Sequence, residues 1–260
     1  MGKLFAEAVG YSGLARIDLS NNDFGNEGIK VVAQCLMFRS QLKYLNVSSC
    51  GFNIEGAYSF ISNLGKNHTV ETVVMDKNDL SGTRIRQKVL KDLFFNNKTL
   101  KSISFNHCNL GPTGAGHISR GLGFNLNLKS VSFAYNNFGD LGAEFFLDCF
   151  FLDSNSLEYF NLAGNSITDI GGAKLVGGLM YNQTLKVIDF RHNSLSEKTG
   201  LLLKPLVKLN THLAKIHLEY NICRIKVIDE LKEMMDKNYK RQEQRRVNDI
   251  RRQCKYLRKG

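Results

Sequence analysis

The chain has 260 residues and a formal net charge of +11, with 35 Lys and Arg against 24 Asp and Glu. No run approaches the roughly 18 apolar residues of a membrane-spanning helix, and the N-terminus lacks a secretory hydrophobic stretch. We therefore expect an intracellular, cytoplasmic protein without a membrane span. Its six cysteines include no close pair, so we expect buried, reduced thiols rather than disulfides.

Residues 1–13 include the segment KLFAEAVG, which resembles the helical half of a repeat whose strand half is absent. Two interpretations stand side by side. The segment is a partial N-terminal repeat or cap helix, which shields the end of a solenoid that would otherwise expose its core. Alternatively, it is the remainder of a longer natural chain.

Residues 14–223 contain eight copies of an eleven-residue phrase, and the copies begin 28 to 30 residues apart. Repetition at this period predicts a solenoid and outranks local secondary-structure patterns. The first, fourth and sixth positions of a phrase are apolar, and we expect them to point into the core from a short strand. Stacked repeats then pair their strands into one parallel sheet. The phrases start at Leu14, Leu42, Val70, Leu100, Leu128, Leu157, Leu185 and Leu213.

The ninth position of each phrase is Asn or Cys. We expect the Asn amide to satisfy backbone groups at its own turn and in the next coil, and the Cys to fill the same slot as a small buried group. These residues are Asn22, Cys50, Asn78, Cys108, Asn136, Asn165, Asn193 and Asn221.

A repeat of this length leaves room for a full helix after each strand. The long period, with Asn and Cys alternating in the early copies, resembles the ribonuclease-inhibitor-like leucine-rich-repeat family. The resemblance covers roughly Leu14 to Cys223. It implies an α/β leucine-rich-repeat solenoid, or horseshoe, with parallel strands on the concave face and helices on the convex face.

Three tripeptides match the acceptor pattern for N-glycosylation and begin at Asn67, Asn97 and Asn182. Each falls at the turn that leads from a helix into the next phrase. Turn chemistry accounts for Asn at this place, and we expect no glycan there.

Side chains at the third, fifth and seventh positions of each phrase are predicted to line the concave face. They are small and weakly polar in the middle of the arc and charged in the last two copies. Tyr and Arg dominate the energetics of protein interfaces. The predicted partner-binding residues of the arc are Tyr44, Tyr159, Arg191, His192, Lys215, His217 and Tyr220.

The C-terminal end divides by charge. Residues 224–236 predict a cap helix, with Ile225, Ile228, Leu231 and Met235 on one face. Residues 237–260 predict a basic helical tail, which holds ten Lys or Arg and two acids and so carries +8 of the +11.

The tail also has a short apolar stripe with basic residues beside it. It is either a solvated extension of the cap, or a binding element for an acidic protein surface, for a calmodulin-type protein, or for RNA or anionic lipid. We favour an acidic protein, because no nucleic-acid motif accompanies the charge. The candidate residues are Arg245, Arg246, Val247, Ile250, Arg251, Arg252 and Leu257.

Candidates for catalysis are few. His192, His217 and Glu219 could approach one another on adjacent strands, but no ligand motif of fixed spacing supports a metal site. The sequence contains no phosphate-binding glycine loop and no nucleophile elbow. We therefore expect no enzyme activity, no metal and no cofactor.

The predicted function is a non-enzymatic protein–protein interaction scaffold, part of a larger assembly and located in the cytoskeleton or a cilium. The family resemblance implies the setting, since similar proteins include ribonuclease inhibitors, immune receptor sensor domains and subunits of cilia. A second function implied by resemblance is GTPase regulation of the kind performed by the Ran GTPase activator. That family ends in an acidic tail, whereas this chain ends in a basic one. Ribonuclease inhibition fits poorly, because such ribonucleases are basic and this chain carries +11.

Overall fold

The computed structural model describes residues 13–37, 41–151 and 156–257, without the side chains of residues 84–86, 148, 151, 242, 245–246 and 249–257. Nearly all of the predicted N-terminal cap, residues 1–12, lies outside the described residues.

Each described repeat is a three-residue strand followed by a helix. The strands are β1 Arg16–Asp18, β2 Tyr44–Asn46, β3 Thr72–Val74, β4 Ser102–Ser104, β5 Ser130–Ser132, β6 Tyr159–Asn161, β7 Val187–Asp189 and β8 Lys215–His217. The helices are α1 Gly25–Cys35, α2 Ile54–Lys66, α3 Arg84–Asn96, α4 Gly111–Leu122, α5 Gly139–Phe151, α6 Asp169–Leu179, α7 Glu197–Leu209 and α8 Ile225–Leu257.

The eight strands form one parallel sheet in the order of the chain. Paired residues occupy the same phrase position, as Ile103 pairs with Val131 and Ser104 with Ser132. The central residue of β2 to β8 is buried, while most flanking residues are partly exposed on the other face. The predicted solenoid is therefore confirmed, with each helix packed on its neighbours. The inward positions are confirmed from the second repeat on, whereas Leu14 of the first repeat is 49% exposed.

Phenylalanine rings fill the middle of the core. Phe133 stacks on Phe105 with ring centroids 6.1 Å apart, and it lies 5.9 Å from Phe160. Phe146 and Phe150 of α5 meet the edge of Phe160 at 5.1 and 5.2 Å. Full burial of one such side chain stabilises the fold by roughly 1.5–3 kcal/mol. The rings therefore join three strands to the helix layer.

The ninth-position Asn joins consecutive coils. The Asn136 amide nitrogen donates to the carbonyl of Phe105 at 2.7 Å, and its oxygen accepts from the amides of Cys108 and Leu110 at 3.1 and 3.3 Å. The partners lie in the preceding coil, so the expectation of bonds to the next coil is wrong in direction. In a parallel sheet the backbone groups of successive residues face opposite neighbouring strands, and the carbonyl of Phe105 faces the repeat that follows.

The cysteines that replace Asn in this slot are buried as predicted. The Cys108 thiol donates to the carbonyl of Met75 at 3.3 Å, and the Cys50 thiol donates to that of Leu19 at 3.2 Å. Burial raises the pKa of the Cys108 thiol to about 12. Among the described side chains, the five cysteines are all buried and free of disulfides.

A second row of asparagines shapes the turn from each helix into the next strand. The Asn97 amide nitrogen donates to the carbonyl of Leu64 at 2.6 Å, and its oxygen accepts from the amides of Thr99 and Leu100. Asn67, Asn125, Asn182 and Asn210 repeat this arrangement. The amides are buried and bonded, which is the turn chemistry expected of the three acceptor-like tripeptides.

One glycine shows how closely consecutive coils approach. A Cβ at Gly56, near the start of α2, would lie 2.7 Å from the Cα of Asn26 in the preceding helix. Only a residue without a side chain permits that distance, as the position of this glycine in the repeat predicts.

The substitution Asn136→Ala tests the Asn slot. It leaves buried backbone donors and acceptors without partners, and we expect it to lower the free energy of unfolding by about 2 to 4 kcal/mol. Urea denaturation followed by circular dichroism measures the change.

The matched control is Asn22→Ala, in the same phrase position of the first repeat. Asn22 is exposed, and its acceptors among the described residues are two carbonyls of its own coil, those of Leu19 and Ser20. We expect a loss below about 1 kcal/mol there. Equal losses in the two variants would show that bonding between coils does not carry the stability.

Candidate protein-binding surface

The middle of the concave face is a hydrogen-bonded polar network. Ser104 donates to Asp76 at 2.5 Å, and Asn106 donates to the other oxygen of that carboxylate at 3.1 Å. Ser132 donates to Asn106 at 2.7 Å, and Asn161 donates to Ser132 at 3.0 Å. These side chains bond across four strands, so the middle of the face is held in one arrangement.

Tyr44 lies on β2, four strands before the other predicted residues of the arc. The guanidinium of Arg16 sits 3.5 Å from the centre of its ring, which is cation–π geometry. One face of this tyrosine is therefore already covered by its own chain, and the structure does not bring Tyr44 together with the rest of the predicted site.

Arg191 is held by a buried carboxylate. Its Nε and Nη2 donate to Asp189, with Nη2 at 2.5 Å from Oδ2, and the Asp189 side chain is 1% exposed. This bonding raises the pKa of Arg191, while burial and the charge of Asp189 raise the pKa of Tyr159 on the preceding strand. The guanidinium, 42% exposed, is thus held in place before any partner arrives.

Lys215 and His217 lie on the last strand with Glu219 just beyond it. Burial lowers the pKa of His217 and would raise that of Glu219, but a backbone N–H and Lys232, 3.0 Å away, hold the pKa of Glu219 below its usual value. His217 Nδ1 lies 3.6 Å from Glu219. Within the described part of the chain, no three His, Cys, Asp or Glu side chains are placed to hold a metal.

His192 belongs to a different feature, a row of rings on the rim of the sheet. His107 stacks on Tyr135 with centroids 4.4 Å apart, and His192 stacks on Tyr220 at the same distance. Tyr135 and His192 lie 5.9 Å apart, on either side of Gly164. We call these four exposed rings the ring ladder; all come from the eighth phrase position.

The backbone sets the direction of the ring ladder. Every eighth-position residue has a left-handed conformation, with φ between 52° and 66°. The neighbouring Asn bonds back to its own coil, as Asn165 does to the carbonyls of Leu162 and Ala163, and this demands a sharp turn at position eight. A non-glycine residue in this conformation costs roughly 1–2 kcal/mol. The turn of the repeat therefore directs the eighth-position side chain outward, whichever residue stands there.

The predicted tail residues are only partly described. Residues 224–257 lie on one loop residue and the continuous 33-residue helix α8, which runs unbroken across the change in charge after Asp236. Val247 is partly buried, whereas Lys240, Arg241 and Glu243 are exposed. The side chains of Arg245, Arg246, Ile250, Arg251, Arg252 and Leu257 lie outside the described residues.

Sequence reasoning missed two members of this surface, His107 and Tyr135. A signal was available, because both share the eighth phrase position with His192 and Tyr220. Alternation along a strand assigns side chains to faces only within that strand, and the eighth position lies beyond its end.

The family model described as "Leucine Rich repeat" matches residues 14–33, 96–119, 124–147 and 153–176. The NACHT, LRR and PYD domains-containing protein 14 of Mus musculus is 24% identical over 210 residues. That alignment covers 79% of this chain and 21% of the relative, so the chain spans about a fifth of the relative's length.

Two solved structures share the architecture. The leiomodin-1 actin-binding site 2 superposes with a TM-score of 0.55 at 20% identity, over 66% of this chain and 99% of that one. An internalin of Listeria monocytogenes superposes with a TM-score of 0.52 at 14% identity, over 88% of this chain and 62% of that one. The fold is a leucine-rich-repeat solenoid. No helix in the described residues is both long enough and apolar enough to cross a membrane.

Gly164 stands at the eighth phrase position between Tyr135 and His192 and carries no ring. The substitution Gly164→Ala tests whether the absence of a side chain there lets the two flanking rings approach each other. The new Cβ would lie 2.3 Å from the Tyr135 ring, so we expect that ring to rotate away from His192. Nuclear magnetic resonance would detect this as a loss of the mutual ring-current shifts of the two residues.

The control is Gly139→Ala, which has a similar φ of 61° and open space around the new methyl group. Both substitutions carry the backbone cost of about 1–2 kcal/mol, but only the first should move the rings. Unchanged Tyr135 resonances in Gly164→Ala would contradict the account.

Proposed function

We propose that this chain is a protein-interaction scaffold that recognises one partner with the C-terminal half of its concave face and the ring ladder. The scaffold belongs to a cytoskeletal assembly, and the basic half of α8 docks on a second, acidic partner. The alternation of Asn and Cys at the ninth position supports a ribonuclease-inhibitor-like subtype, which is part of this proposal.

The ring ladder is the observation that carries the proposal. Tyr220 is 72% exposed and Tyr135 is 41% exposed, yet each is stacked on an imidazole and held by the left-handed backbone. Exposed aromatic side chains that lose little freedom on binding are the typical anchors of protein interfaces. The four rings lie in one row, so a single partner segment could contact them together.

Charge on the neighbouring strands complements the rings. Arg191 is held by Asp189, and Lys215 is exposed on the last strand. Beside the rings, the small buried side chains of Ala134 and Ala163 do not project from the concave face. A partner segment can therefore lie on small residues, contact ring edges and meet two cations at one end.

The cytoskeletal setting is supported by charge and by fold. The basic tail suits an acidic filament surface, because opposite potentials speed and orient association. The leiomodin domain that shares the fold is titled an actin-binding site. The alternative of GTPase regulation gains no support, since none of the relatives named above is such a regulator.

Quantitative affinity capture from cell lysate tests the ring ladder, with the wild-type chain and Tyr220→Ala as baits. We expect the principal partner to be lost with Tyr220→Ala, because truncation of an interface anchor costs about 2 kcal/mol or more. The control bait is Tyr58→Ala, which removes a tyrosine that is 48% exposed from α2 on the convex side. Equal capture by all three baits would contradict the proposed face.

Cosedimentation with actin filaments and with microtubules tests the tail. We expect the chain to pellet with one of them. The fourfold change Arg245→Gln, Arg246→Gln, Arg251→Gln and Arg252→Gln should weaken binding about tenfold or more at low salt. The control neutralises four exposed lysines elsewhere and should bind like wild type; these are Lys66, Lys77, Lys88 and Lys208. Failure to pellet with either filament would contradict the cytoskeletal setting.

A further inference from the structure

The sheet ends at β8 with its backbone donors facing outward. In earlier repeats the amides of positions six and eight donate to the following coil, as Phe190 does to His217 at 2.9 Å and His192 does to Glu219 at 3.2 Å. The corresponding donors of the last repeat are Leu218 and Tyr220. No strand follows β8, and neither amide finds an acceptor, within the residues that the structure describes.

The C-terminal helix contains the turn asparagine that leads into the next strand in earlier repeats. Asn238 donates its side-chain amide to the carbonyl of Val207, as Asn210 does to Leu179 in the repeat before. In those earlier turns the residue three places later is Leu or Val and starts the next phrase. Here it is Arg241, and α8 continues straight through the turn position. The turn asparagine that would lead into a ninth repeat is therefore present, while no ninth strand follows it in the described residues.

A groove lies where that strand would run. It has a volume of about 470 Å³ between β8 and α8, with Ile216 and Met235 buried at its floor and Tyr239 at its wall. A second cavity of about 320 Å³ adjoins it, since Ala214 and Tyr239 line both. Together they extend the opening along α8.

One carboxylate oxygen in the groove accepts no hydrogen bond among the described residues. It is the buried Oε2 of Glu219, which lies 3.6 Å from His217 Nδ1, within ion-pair range but too far for a hydrogen bond. A buried acceptor without a donor costs about 1–3 kcal/mol, and the amide of an incoming segment would relieve that cost.

We propose that an extended segment of a partner protein adds to β8 as a ninth parallel strand, enclosed by α8. Its main chain would accept from Leu218 and Tyr220, and an apolar side chain would cover Ile216 and Met235. Strand addition to an open sheet edge is a recurrent mode of peptide recognition.

The charges of the sheet indicate an acidic residue opposite Lys215. Opposite charges at facing positions of neighbouring strands attract. One phrase position before that of Lys215, Glu71 pairs in this way with Lys43 at 3.0 Å and Lys101 at 2.5 Å in the two adjacent repeats. Lys215 is exposed, and no carboxylate pairs with it in the described part of the chain. The fitting segment therefore carries Asp or Glu at that position.

The same charges argue against a second copy of this chain. Stacking β1 of another copy on β8 in register would place Arg16 against Lys215, which is a repulsive pair.

The test uses fluorescein-labelled peptides that copy residues 213–223, with Ser in place of the final Cys. The glutamate peptide has Glu at the position of Lys215, the lysine peptide keeps Lys, and the proline peptide has Glu there and Pro at the position of His217. Odd-numbered positions of a phrase donate their backbone N–H to the preceding strand, as Lys215 does to Lys186, so this proline removes a donor that faces β8. We expect saturable binding of the glutamate peptide to the full chain, at least tenfold weaker binding of the lysine peptide, and none of the proline peptide. Fluorescence anisotropy measures all three.

Charge exchange sharpens the test. Lys215→Glu should weaken the glutamate peptide at least tenfold and strengthen the lysine peptide, whereas the control Lys88→Glu, on exposed α3 surface, should change neither. Hydrogen–deuterium exchange should show slower exchange at Leu218 and Tyr220 with the glutamate peptide bound.

Three results would overturn the proposal: no saturable binding below about 1 mM, equal binding of the glutamate and proline peptides, or self-association of the chain that blocks the groove in sedimentation velocity. The site uses the sheet edge and not the ring ladder. Tyr135→Ala should therefore leave peptide binding unchanged, and the two proposals can fail separately.

Discussion

The side-chain amide of the ninth-position Asn is the constraint on which the rest of the structure depends. It bonds to carbonyls of its own coil and of the coil before, and so fixes both the turn after each strand and the distance between repeats. The Asn165 side chain makes five buried hydrogen bonds: its nitrogen donates to three carbonyls, and its oxygen accepts from two backbone amides. Because this turn requires a left-handed residue just before the Asn, the same amide that joins the coils also directs the eighth-position side chains outward. The turn that stabilises the stack of coils therefore also sets the direction of the side chains proposed to bind a partner.

Much of the fold could be predicted from the sequence, because both of its determinants are periodic. The apolar positions identified the core face of every strand, and the repeated phrase set the register between strands. The direction of the Asn bonds could not be read in this way, since it depends on which side of a strand the carbonyls face. The same limit applies to Arg191, because the sequence does not show that its guanidinium is bonded to the buried carboxylate of Asp189.

The candidate surface was predicted only in part. His192 and Tyr220 were expected to contribute, and they do lie together, but as stacked rings of a ladder rather than as members of a charged cluster. Tyr44 is separated from them by the length of the sheet. The rings of His107 and Tyr135 needed knowledge of a backbone conformation that no apolar pattern encodes. At the C-terminus, composition indicated two segments where the backbone forms one helix, because charge changes at Asp236 while helical propensity does not.

The structure presents two surfaces that would bind in different ways, and they meet at the eighth repeat. The ring ladder offers rigid side chains, whereas the edge of β8 offers backbone donors beside an apolar groove. The measurement that tests the central claim most directly is hydrogen–deuterium exchange of the chain alone and with its captured partner. The account predicts slower exchange at the strand exits of the fourth to eighth repeats, around residues 106–108, 134–136, 163–165, 191–193 and 219–221. Protection confined to the convex helices, with the strand exits unchanged, would contradict it.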